Sequence, residues 1–214
     1  KNNFGSAPKL SGHKNEEMIA EALNRNSTFR AHFCERVGMP EDEFVAATAG
    51  GKHASQVESV IGGKTSEKAD VRVLWRGGGL TNISIKKDPA GQVYLVTAKN
   101  FIAVYEAQYK TTVPDNVKRA LTLFIGEAPD SKSILDATDI SVDGERARRI
   151  AYAQNYRLVF EVIKNYDPRL ATALLDWLKT RITSVCELCF SAGAIKDHEK
   201  WANVLWYKNL VDAD

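Results

Sequence analysis

Asp70 and Lys86 are the two side chains best placed by their spacing to share a reaction. Residues 70–76 alternate apolar and polar like a strand, and residues 80–87 alternate again. Gly77-Gly78-Gly79 between them is a turn signal, so the segment predicts a β-hairpin. Register centred on Gly78 sets Asp70 opposite Lys86, Arg72 opposite Ser84 and Leu74 opposite Asn82. A bulge at the glycines would shift this by a residue. Alternation puts Val71, Val73, Trp75, Thr81, Ile83 and Ile85 on one face, a core face. The other face gathers Asp70, Arg72, Asn82, Ser84 and Lys86. Opposed Cβ atoms lie about 5 Å apart, close enough for a carboxylate and an ammonium to share one site. Hard oxygen ligands suit Mg²⁺, which polarises a phosphate and acidifies a bound water. Asp70 and the Ile85 carbonyl are the candidate ligands, and Lys86 would act on the attacking water. The plain alternative is a cross-strand salt bridge on a solvated face.

One carboxylate is thin for a metal. Glu16 precedes Ile19, Ala20 and Leu23 by three, four and seven residues and shares their helical stripe. A carboxylate on the buried face of a helix wants a partner or a metal. Glu17 and Glu21 fall on the polar side. Glu58, just ahead of the hairpin, is the rival second ligand.

The elements around the hairpin follow from periodicity and punctuation. A first helix is expected over about 15–24. A second carries Phe29, Phe33 and Val37 and stops at Gly38. Residues 46–52 are small and Gly-rich and predict a loop, and Val57, Val60 and Ile61 predict a helix over about 53–61. A third strand is expected over 92–96, and Thr97 can N-cap a helix bearing Phe101, Ile102, Tyr105 and Tyr109. Pro114 opens a helix that Gly126 closes, residues 127–144 read as a polar loop, and a helix spans about 145–165. Pro168 opens one long helix with Leu170, Leu174, Leu178, Ile182, Val185 and Cys189 inward, ended by Gly193. Residues 201–210 form a closing strand. The expected fold class is α+β: a small mixed, mostly antiparallel sheet flanked by helices. One domain is expected, with a catalytic core over 1–126 and a mainly helical part over 127–214 packed on it.

Gly63-Lys64-Thr65-Ser66-Glu67-Lys68-Ala69-Asp70-Val71-Arg72-Val73 and Asn82-Ile83-Ser84-Ile85-Lys86-Lys87-Asp88 together resemble the PD-(D/E)xK nuclease superfamily, and within it type II restriction endonucleases. That family pattern sets an Asp at the start of one strand and an acidic-x-Lys triplet on the next. A Glu-bearing helix usually precedes it, and Gly12, Glu16, Ile19 and Leu23 are similar to that helix. Ala69 stands where Pro is frequent, and Ser84 stands in the acidic slot, which makes Glu16 or Glu58 more necessary. The resemblance covers about the first half of the chain. It implies a restriction-endonuclease-like fold, Mg²⁺, sequence-specific hydrolysis of double-stranded DNA, a homodimer, and a cognate methyltransferase as functional partner. Catalysis would fall to Asp70, Ser84, Lys86 and Glu16, and metal binding to Asp70, Ile85, Glu16 and Glu58. A repair or structure-specific nuclease and a non-catalytic DNA-binding module are the alternatives, with a helical protein-interaction domain behind them.

The composition is compatible with this and decides little more. The chain has 214 residues, 44% hydrophobic and 26% charged, with a formal net charge of +2. A nucleic-acid binder of that charge has to concentrate its cations on one surface. Lys52, His53, Lys64, Arg72, Asn82, Lys87, Lys99 and Asn100 are the candidate DNA contacts, with Arg146, Arg148 and Arg149 beside them. Three cysteines, Cys34, Cys186 and Cys189, argue against a disulfide scaffold and for a reducing cytoplasm. Cys186 and Cys189 have no second pair to complete a zinc site. The apolar runs are too short to span a bilayer.

Overall fold

The computed structural model describes residues 7–50, 55–87, 97–137 and 156–211. They form a mixed α+β architecture in two compact units, Lys1–Val93 with Cys186–Asp214, and Tyr94–Val185. The C-terminal residues return to the first unit as a strand.

In the first unit, helices α1 (Ala7–Arg25) and α2 (Ser27–Val37) precede strand β1 (Phe44–Ala49). A small hairpin, β2 (Gln56–Glu58) with β3 (Lys64–Ser66), leads into β4 (Val71–Trp75) and β5 (Leu80–Lys86). Strand β6 (Val204–Tyr207) completes a four-stranded sheet of order β1-β4-β5-β6, antiparallel except for the parallel β5–β6 pair.

Two sequence expectations fail here. Residues 46–49 belong to a strand rather than a loop, with Thr48 opposite Arg72 and Ala49 opposite Val71. Their small side chains suit a strand lying under α1. Over its described part, 55–61, the helix expected over 53–61 is instead strand β2 and a turn, in which Gly63 O accepts from the Ser59 N–H at 3.0 Å. The apolar spacing of Val57, Val60 and Ile61 fits a helix, but three residues are too few to separate the periods.

The core lies between α1, α2 and one sheet face. Ile19 and Leu23 from α1 are fully buried, as are Val71, Val73 and Ile83 from the hairpin. Phe33 stacks on Trp75 at 6.4 Å and tilts against Trp206 at 5.1 Å. The Trp75 indole N–H donates across the hairpin to Thr81 Oγ1 at 2.8 Å. Helix α1 is also tied to both sides of the sheet by asparagine side chains. Asn24 donates to Ala47 O and accepts from Ala47 N–H, both at 2.8 Å. Asn15, fully buried, donates to Lys208 O at 2.8 Å and accepts from the Leu210 N–H at 2.6 Å. Each bond satisfies a backbone group at a sheet margin.

The second unit is helical. Thr97 caps α3 (Ala98–Tyr109), its hydroxyl accepting from the Asn100 N–H. Helix α4 (Asp115–Ile125) follows Pro114 and ends at Gly126. Residues 131–137, expected as loop, form helix α5 (Ser131–Ala137). Leu123, Leu158, Val162, Ile163 and Ala171 bury together where α4 packs on α6 (Phe160–Tyr166) and α7 (Pro168–Thr180). The long helix expected from Pro168 to Gly193 is interrupted at Arg181. It resumes as α8 (Ile182–Glu187) and a π turn over Leu188–Ala192, leaving Ile182 exposed. The expected strand over 92–96 and most of the helix over 145–165 lie outside the described residues. No described helix is long and apolar enough to cross a membrane.

Asn24→Ala removes two hydrogen bonds from a buried strand residue and is expected to cost about 1–3 kcal/mol. The urea midpoint of unfolding measures it, and an unchanged midpoint would refute the tie.

Candidate active site

The hairpin turn sets the register. Trp75 N–H donates to Gly79 O at 2.9 Å and Gly78 N–H to Trp75 O at 3.0 Å, so residues 76–78 make a three-residue connection. Gly77 and Gly78 take φ of 89° and 87°, which side-chain-bearing residues rarely adopt. The hairpin axis thus lies at Gly77, not Gly78. Arg72 pairs with Asn82 and Val71 with Ile83, which brings Asp70 level with Ser84 and leaves Lys86 one alternate step beyond. A two-residue change of partner preserves which face each side chain occupies.

Asp70, Ser84 and Lys86 therefore still meet. Asp70 Oδ2 accepts from the Ile85 backbone N–H at 2.7 Å and from the Ser84 hydroxyl at 3.3 Å. Lys86 Nζ donates to Ser84 Oγ at 3.0 Å and to Ile85 O at 3.1 Å, and stands 3.9 Å from Asp70 Oδ2. Ser84 is buried and occupies the middle of the cluster. Its hydroxyl accepts from the ammonium and donates to the carboxylate, so it joins them without neutralising either. The chain before Asp70 is held as firmly. Gly50 N–H donates to Asp70 O at 2.9 Å, and a Cβ on Gly50 would fall 2.5 Å from Ala69 O.

Glu16 joins this group from α1. Its side chain is 13% exposed, and its Oε2 lies 3.2 Å from His13 Nδ1. Burial pushes the Glu16 carboxyl above its usual range, and the Asp70 charge adds to that; His13 and Lys86 pull the other way. Burial also raises Asp70, against the pull of Lys86, the Ile85 N–H, Ser84 and Lys68. Two carboxyls raised by burial, one of them also by the other's charge, lie with a backbone carbonyl that has a lone pair to spare, an oxygen donor set that a divalent cation would relieve. Mg²⁺ commonly takes one or two carboxylates and keeps several waters, so Glu16, Asp70 and the Ile85 carbonyl fit it. Among the described residues no three His, Cys, Asp or Glu side chains gather as a ligand set.

Glu58 is not part of the cluster. It is exposed on β2 and pairs with Lys196 at 3.0 Å. Two candidate DNA contacts are also spent internally. Asn82 is buried, donates to Glu199 O and Trp201 O at 2.9 and 3.0 Å, and accepts from Arg72 Nε at 3.2 Å. Arg72 also pairs with Glu67. Asn82 thus binds the hairpin to its own surroundings, and Arg72 does so through Nε and Nη2. Lys64 is exposed on β3, and Lys87 follows β5 half-buried. Lys99 and Asn100 are exposed in the first turn of α3, in the second unit. Lys52, His53 and the Arg146–Arg149 group lie outside the described residues.

Lys68 is the residue the hairpin pattern missed. Burial pulls its ammonium below the usual lysine range and nearby Lys86 adds to this, while Asp70 and Cys189 oppose. Its Nζ donates to Cys189 O at 3.3 Å. In the sequence it was one cation among many, and nothing local marks it as buried.

Comparison with protein-family models, with curated proteins and with solved structures finds no match.

Burial and the Asp70 charge favour protonated Glu16 in the fold, so its ionisation costs stability as pH rises from the ordinary 4.5 through the raised value. Glu16→Gln is expected to raise the Tm of metal-free protein at about pH 8, with the gain vanishing at about pH 4 and below. A gain of equal size at both pH values, or a loss at the higher one, would contradict the strained carboxylate.

Proposed function

We propose that this chain is a Mg²⁺-dependent endonuclease that hydrolyses phosphodiester bonds of double-stranded DNA at a specific sequence, as a type II restriction enzyme does. The observation that carries the reading is the Asp70–Ser84–Lys86 cluster with Glu16 brought to it from α1. The hairpin and the helix laid on it also support a restriction-endonuclease-like fold. A homodimer acting in the cytoplasm, with a cognate methyltransferase as functional partner, belongs to the same reading.

Asp70, Glu16 and the Ile85 carbonyl would hold the metal. When bound, Mg²⁺ supplies polarisation of the scissile phosphate and a more acidic water. The remaining work falls to the chain. The Ile85 N–H and Ser84 hydroxyl fix the orientation of Asp70, leaving its other oxygen for a ligand. Lys86, held by Ser84 and Ile85 O, has a third proton to donate to the attacking water or to a phosphate oxygen. It stabilises negative charge where that charge develops. Ser84 in the acidic slot leaves Lys86 less neutralised than a carboxylate would.

The test is incubation of the protein with plasmid DNA and Mg²⁺. Discrete fragments are expected, and Asp70→Ala and Lys86→Ala are each expected to slow cutting by on the order of 10²–10³-fold or more. Cutting by both variants at the unaltered rate would remove the site. Cleavage without a fixed fragment pattern would favour a repair or structure-specific nuclease. The neutral Ser84 supports one further reading, a DNA-binding module without catalysis. Salt-sensitive duplex binding with no Mg²⁺-dependent cutting would select it.

A further inference from the structure

Lys68 sits in the short connection between β3 and β4, two residues before Asp70. A lysine there would ordinarily swing into solvent. Here the C-terminal segment holds it back. Its Nζ donates to Cys189 O on the π turn at 3.3 Å. Its stem lies over Gly193, where an added Cβ would come within 2.7 Å of Lys68 Cε and 3.3 Å of Cγ. Gly193 has φ of 55°, a conformation that strains a larger residue, and any Cβ there would push the Lys68 stem aside. The same segment is stapled to the small hairpin, with Val60 N–H donating to Ala194 O and Lys196 N–H to Glu58 O, at 2.9 and 3.0 Å.

Among the described residues Lys68 has no carboxylate in ion-pair contact, although it lies within electrostatic range of Asp70 and Lys86. A half-buried cation bonded to a carbonyl with no carboxylate in contact is costly in the resting fold, and an arriving anion would offset that cost. The local charge count shows which charge that is. With both carboxyls ionised, as a bound divalent cation would require, Lys68 and Lys86 balance Glu16 and Asp70. A divalent cation on the carboxylates leaves two positive charges in excess, matching a phosphodiester and the hydroxide that attacks it.

We infer that Lys68 is a second phosphate-binding cation of this site, held by the Cys189 carbonyl and the Gly193 cradle to grip the DNA backbone beside Lys86. The inference rests on the nuclease reading and adds a residue to it. Lys68→Met keeps the stem and drops the charge, whereas Lys68→Arg keeps the charge.

Binding of a fluorescent 30-base-pair duplex is followed by anisotropy in EDTA across a salt series, and plasmid cutting is followed in Mg²⁺. Lys68→Met is expected to lower the slope of log affinity against log salt by about one and to slow cutting by on the order of 10²-fold, with Lys68→Arg retaining the slope. A Lys68→Met protein that binds and cuts like wild type overturns the inference and leaves the nuclease reading standing. Slow cutting with an unchanged slope also overturns it, since that marks a structural role. Wild-type protein that binds duplex but never cuts defeats the nuclease reading, and the slope then decides Lys68 alone. Wild-type protein that neither binds nor cuts defeats both.

Discussion

One hydrogen bond organises the site: the Ile85 backbone N–H to Asp70 Oδ2, at 2.7 Å. A carboxylate at the start of a strand has several rotamers, and most aim it at water. Binding it to the next strand's backbone makes its position a property of the sheet. Ser84 completes the anchorage and passes it to Lys86. The cluster is therefore as rigid as the β4–β5 ladder, which is locked by Val71, Val73 and Ile83 in the core. Displacing that one acceptor would free the Ile85 N–H and the Ser84 hydroxyl proton, while the Ile85 carbonyl and Ser84 Oγ still hold Lys86.

The strain of the arrangement is electrostatic. Burial raises both carboxyls, and the Asp70 charge raises Glu16 further. Such pairs are costly in a resting fold and are found where charge is to be received. Helix α1 bears this cost because it is fastened elsewhere. Ile19 and Leu23 bury beneath it, and Asn15 and Asn24 grip backbone at the two sides of the sheet. The strained residue lies between anchors that do not depend on it.

Features governed by local alternation were legible in the sequence. The two faces of the hairpin, the stripe that carries Glu16, the Thr97 cap and the Gly38 stop all depend on neighbours within a few residues. The register was not legible, because a glycine triplet permits several turns and only the Trp75–Gly79 bonds choose one. Strand β1 was hidden by its small residues, whose value appears only under α1. Glu67, the partner of Arg72, lies just ahead of the strand and no alternation marks the pair, whereas Asn82 looked like a free donor because the carbonyls of Glu199 and Trp201 arrive from another segment. Lys68 was concealed for the same reason: its cradle is more than a hundred residues away.

The Asn24 clasp on Ala47 has a meaning beyond the stability of β1. An edge strand with bare N–H and C=O groups invites a foreign strand to pair with it. Here an amide side chain, itself donor and acceptor, imitates that visitor and occupies both groups of Ala47. At that point the rim is closed to a foreign strand, although β1 lies at the edge of the sheet.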